Sequence, residues 1–141
     1  MKLLWATLAL TIAGNVLYHL SQKSIPLNVH PVVSIVASYI TAIVLSLGIL
    51  IAFPLRAPVM TEVRRLNWAT VAVGLSIVAV EVGFLLAYRA GWRVSIASVT
   101  ANVTVALLLL PTGVLMFHEK LSPTNVVGLL FCVVGLVLVA R

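Results

Sequence analysis

The chain has 141 residues, 62% of them apolar and only 9% charged, with a mean hydropathy of +1.22. Soluble domains carry nearer a quarter charged residues, and a chain this short must cover much of its surface with polar groups if it is to live in water. The composition therefore excludes a soluble globular domain and points to an integral, multi-pass membrane protein. The net charge of +6 is carried by basic residues standing singly or in pairs between apolar runs. There they would meet lipid headgroups rather than form a nucleic-acid surface.

In chain order, Lys2 and Lys23 bracket a first apolar run, about 3–22. Its opening, MKLLWATLALTIAG, resembles a secretory leader. The run continues through Asn15, Val16, Leu17 and Tyr18, longer than a cleaved apolar core needs, so it reads as a first span. Pro26 and Pro31 flank a short linker around Asn28 and His30 before a second run, about 31–53, closed by Pro54 and Arg56. The segment PLRAPVMTEVRRLN, with its two prolines and three arginines, should lie along the membrane interface. A third run, about 66–89, is broken only by Glu81, and Gly91 permits a tight turn into a fourth, about 94–117. Ser122 followed by Pro123 reads as an N-cap with proline at the first helical position of a fifth run, about 122–140.

Runs of about 20 apolar residues suffice to cross a hydrocarbon layer of roughly 30 Å as helix. Helix is required, because backbone groups in lipid must bond within their own segment, and the period-2 alternation of a membrane barrel is absent. Trp5, Trp68 and Trp92 fall near span ends, as interfacial aromatics do. The expected fold is thus all-α, one domain over 1–141: a polytopic membrane bundle with five transmembrane helices.

Five spans put the two termini on opposite sides. Lys2, Arg56, Arg64, Arg65 and Lys120 then fall on the N-terminal side, and Lys23, Arg89, Arg93 and Arg141 on the other. Five against four barely sets an orientation by the positive-inside rule. Either the arginine-rich second loop is weakly held in the cytoplasm, or the chain inserts both ways and pairs with an inverted copy of itself.

An ionised side chain at mid-membrane costs about 2.5–3.5 kcal/mol on insertion scales. Glu81 lessens that by remaining protonated or by finding a polar partner; Arg89, roughly 12 Å along the helix, is too far to serve. Glu81 is therefore expected to face other helices or a water-filled cavity. Thr70, Gly74, Ile77, Glu81, Phe84 and Tyr88 share one face of the third helix. Polar stripes recur on the first helix (Thr7, Thr11, Asn15, Tyr18), the second (Ser34, Ser38, Thr41) and the fourth (Ser95, Ser98, Asn102), whereas the fifth is almost purely apolar. These stripes either line a shared wet interior or bond back to their own helix carbonyls. Asn15 and Asn102, costlier to bury, serve as interhelical glue or as ligand contacts. Glu81 is either a proton- or cation-coupling group or a structural acid hydrogen-bonded to Asn or Tyr.

The segment YRAGWRVSIASVTANVTVALLLLPTGVLMFHEKLSPTNVVGLLFCVVGLVLVA resembles the C-terminal half of an EamA-type unit of the drug/metabolite transporter superfamily. AYRAG closing the third span, Pro111 late in the fourth, HEKLSPTNVVG across the last loop and the Gly128/Gly135 pair carry the likeness, which runs from about Glu81 to the end. The resemblance implies a small-molecule carrier in a membrane, expected to be the inner membrane of a prokaryote. EamA-type transporters usually hold two five-helix units and this chain one. Because an odd-numbered unit repeats upside down, the missing half would come from a second chain: an antiparallel homodimer or another half-transporter subunit. The resemblance puts dimer contact on the last helix, where Gly128 and Gly135 lie seven apart on one face; packing within one subunit would explain them equally. Related small multidrug resistance proteins carry an acid in their first helix. Matching TIAGNVLYHLSQK to that helix places Thr11 there, so any acid chemistry in this chain belongs to Glu81 instead.

On this reading Glu81 is the proton- or cation-coupling group of an antiporter, and Asn15, Tyr18, Tyr88 and Asn102 line the substrate cavity. The other reading is a non-transporting membrane subunit, such as a lipid-flippase component or the partner of another half-transporter. His19, His30 and His118 share no ligand spacing with a carboxylate or with the lone Cys132, so no metal site is expected. No cofactor is expected either, and an enzyme is the least supported class, with no nucleophile–base pair or phosphate loop. Glu119 and Lys120 are expected at a turn or a headgroup contact.

Overall fold

A computed structural model describes residues 2–118, 120 and 122–139; the expectations for Glu119 and Arg141 fall outside these. The described chain is all-α, with six helices. They are α1 (Lys2–Ser24), α2 (Pro31–Ala52), α3 (Val59–Arg64), α4 (Trp68–Arg89), α5 (Val94–Phe117) and α6 (Pro123–Val139). Four of them, α1, α2, α4 and α5, are long and apolar enough to cross a membrane. The fifth predicted span forms the shorter α6, 17 residues or roughly 26 Å of helix. Four helices of crossing length are therefore described where five were expected, with α6 at the lower limit of spanning length. The arginine-rich segment between α2 and α4 holds the one-and-a-half-turn α3, where Glu62 and Arg65 pair at 3.0 Å on an exposed surface.

The ends of the helices follow from local chemistry. His30 caps α2: its Nδ1 accepts from the Val32 amide at 3.3 Å, with Pro31 at the first helical position. Ser122 caps α6 as its sequence predicts, its Oγ accepting from the Asn125 amide at 3.2 Å. Gly91, between α4 and α5, has φ +97°, a backbone conformation that side chains with a Cβ rarely adopt. Within α5, Pro111 lacks the N–H that would bond four residues back. The neighbouring Thr112 hydroxyl donates to the carbonyls of Leu109 (2.7 Å) and Leu108 (3.4 Å). His118 ends α5 in the left-handed region (φ 53°), and its amide donates to the Gly113 carbonyl.

The chain divides into two compact units. One contains α1 through Leu20 with α5 and α6, and in it α5 packs on α6. The other runs Ser21–Arg89, and in it α2 packs on α4. Burial in this second unit collects at one end: Gln22, Ile35, Glu81, Leu85 and Tyr88 are buried, and Leu85 is the most enclosed side chain, 1% exposed. Residues 41–52 of α2 are exposed throughout, and between Trp68 and Val80 only Ala69 and Ala72 are partly covered. Bare apolar faces of this kind are the expected state of helices whose solvent is lipid.

Candidate functional site

Glu81 lies on α4, 8 residues before its last residue, on the face that α4 turns inward. Its neighbours at helical spacing, Leu85 and Tyr88, are buried with it. Phe84 stacks on Tyr88 at 5.9 Å between ring centroids. The predicted stripe is thus buried only in its second half; Thr70, Gly74 and Ile77 are exposed.

Opposite Glu81 stands the last turn of α1. The Gln22 amide donates to Glu81 Oε1 at 3.3 Å, and both side chains are buried, at 4% and 7% exposure. The carboxyl is therefore directed at another helix. From α2, Tyr39 faces the same carboxyl. Its hydroxyl oxygen is buried, lies within electrostatic reach of the carboxyl, and closes no hydrogen bond of ordinary geometry.

The same end of the unit is tied by two basic side chains. Lys23 Nζ donates to the Tyr88 carbonyl at 3.2 Å and lies 5.8 Å from that ring's centroid. Arg89 Nη2 donates to the Val29 carbonyl at 2.6 Å. Both cations sit where the C-terminal end of α4 presents partial negative charge. Arg89 ties the α1–α2 linker to α4, and Lys23 ties the last turn of α1 to it.

No protein-family model, curated protein or solved structure matches the chain.

Of the residues expected around a substrate, Tyr88 joins Glu81 in one unit, while Asn15, Tyr18 and Asn102 belong to the other. Asn15 and Asn102 are exposed; Tyr18 is half-buried, edge-on to the buried His19 with ring centroids 5.2 Å apart. Gly128 and Gly135 have open space where a Cβ would stand, so packing among the described residues does not account for them. The hydroxyl stripes mostly bond back. Thr7 donates to Leu4, Thr11 to Thr7, Ser34 to Pro31, Ser38 to Ser34, Thr41 to Ala37 and Ser98 to Ser95. These bonds satisfy the hydroxyl protons within their own helices.

Thr7 and Thr11 flank an open, largely apolar groove along α1 with Leu4, Trp5 and Leu8. Among the described residues no cluster of His, Cys, Asp and Glu could hold a metal ion, and Cys132 is a free, exposed thiol.

Sequence reasoning missed Gln22, Tyr39 and the capping role of His30. For Gln22 a signal existed: the stripe Thr7, Thr11, Asn15, Tyr18 continues at Gln22, one turn further.

Proposed function

We propose that this chain is a small-molecule membrane transporter of the drug/metabolite type, coupled to a proton or cation at Glu81 and working by alternating access as an inverted dimer. The observation that carries this reading is Glu81 itself. An acid buried within a helix long enough to cross a membrane, directed at a neutral partner on another helix, is costly, and intramembrane acids of this kind mark ion and proton pathways. Protonation of Glu81 would favour one conformation of the carrier and ionisation would favour the other, with substrate binding linked to the exchange. In a dimer that brought two copies of Glu81 together, their titrations would be coupled.

The test is proton release from proteoliposomes loaded with a pH-sensitive dye, on addition of a panel of lipophilic cations, amino acids and sugars. Release triggered by one class, scaling with an imposed pH gradient, is the expected result. A gradient insensitive to every member removes the exchange mechanism.

The assembly is tested separately by tagging each terminus and probing its sidedness in intact cells. Both orientations in similar amounts are expected for the inverted homodimer. A single fixed orientation would favour the second reading, a non-transporting partner of another half-transporter or flippase. That reading draws on the hydrogen bond from Gln22, which is also what a purely structural acid would make.

A further inference from the structure

The two side chains that surround Glu81 share a chemical property that Lys and Arg lack. A glutamine amide and a phenol can each donate a hydrogen bond or accept one. An ionised carboxyl needs donors, whereas a protonated one needs at least one acceptor for its own O–H. Gln22 now donates through Nε2 to Glu81 Oε1. Turning the amide over would present its oxygen instead. Tyr39 brings a hydroxyl within electrostatic reach of the same carboxyl, buried where leaving it without a bond costs about 1–3 kcal/mol. Of the cations near this end, Lys23 donates to the Tyr88 carbonyl and Arg89 to the Val29 carbonyl. His30 is committed to capping α2.

We infer that Tyr39 is the second partner of Glu81, and that Gln22, Tyr39 and Glu81 form one hydrogen-bonded unit whose two neutral members reverse their donor and acceptor roles as the carboxyl gains or loses a proton. Tyr39 and Gln22 are positioning residues here. They keep the acid satisfied in both of its forms, so that it can cycle within an apolar helix. The assignment deepens the transport reading and rests on it for its purpose. It also selects between the two classes of coupling ion. The proton is chosen because Gln22 donates to the carboxyl, the role that must reverse on protonation, whereas a sodium ion would hold the amide and phenol oxygens turned inward toward it.

The test is infrared spectroscopy of the full chain in liposomes, stepped in pH. The carbonyl band of protonated Glu81 is identified by its loss in Glu81→Gln. In Tyr39→Phe, which removes one oxygen and keeps the ring, that band should move to higher frequency, because a carboxyl that loses a hydrogen-bond partner has a stiffer C=O. A band superimposable on that of wild type would overturn the assignment of Tyr39. In wild-type protein carrying ring-deuterated tyrosine, a phenol C–O band should change in step with the Glu81 band. That measurement decides the matter even where Tyr39→Phe does not fold, and an unmoved phenol band would count against the unit. Replacing choline chloride by sodium chloride at fixed pH should leave the Glu81 band unchanged, and its loss in sodium would overturn the choice of proton. A shifted band without proton release in the dye-loaded liposomes would remove the transport reading and leave the hydrogen-bonded unit standing.

Discussion

Glu81→Gln should leave the chain folded and inserted while reducing proton release in dye-loaded liposomes to the level of protein-free vesicles. The substitution exchanges a carboxyl oxygen for an amide nitrogen of nearly the same shape. The buried position facing Gln22 can still be hydrogen-bonded, amide to amide, and the packing of Leu85 and Tyr88 beside it is untouched. What is lost is the ability to take up and give off a proton. A group that cannot change charge has no differential interaction with the two states of a carrier, and a ligand without such a difference shifts nothing. Expression, insertion and thermal unfolding in detergent should match wild type, so that a loss of release cannot be ascribed to misfolding. Undiminished release in the variant would take Glu81 out of the mechanism.

The second large effect concerns stability. Gln22→Leu should destabilise the chain by about 1–3 kcal/mol, because it leaves a buried carboxyl without its donor on α1. Glu81→Leu alone removes the carboxyl that the Gln22 amide donates to. In the double variant neither polar group remains, and it should lose less stability than the two single variants together. The difference, the coupling energy of the pair, is expected near the average of about 0.6 kcal/mol for hydrogen bonds between membrane helices and no higher than about 1.7 kcal/mol. Unfolding of the four proteins by a denaturing detergent, followed by circular dichroism, supplies the four free energies. Strict additivity would mean that the bond between Gln22 and Glu81 contributes nothing. This experiment makes no appeal to transport.

The helices were legible in the sequence because their boundaries are chemical events. Lys23, Pro31, Arg89 and the Ser122–Pro123 pair fall within two residues of the ends of α1, α2, α4 and α6. Glu81 was legible for a similar reason: a single carboxyl in an apolar run stands out whatever surrounds it. Its partners were not legible. Whether Gln22 reaches Glu81 depends on how far the last turn of α1 lies along α4, which is a matter of register between helices distant in sequence. Tyr39 stands on a different side of α2 from the Ser34, Ser38 and Thr41 stripe, and only the packing of α2 on α4 brings it to the acid. The hydroxyl stripes misled because small polar residues in membrane helices look alike whether they face a cavity or bond to the turn before them. The expectation for Gly128 and Gly135 meets a further limit: their open faces show that nothing described in this chain fills them.

Because α2 and α4 enclose side chains at one end and are bare along the rest, the polar cluster occupies the fulcrum of a pair of levers. About 20 Å of α2 extends beyond Tyr39, so a tilt of about 10° at that pivot would sweep the far tip through roughly 3–4 Å. A rearrangement no larger than the turning of one amide is thereby placed where leverage on the remainder of the helix is greatest.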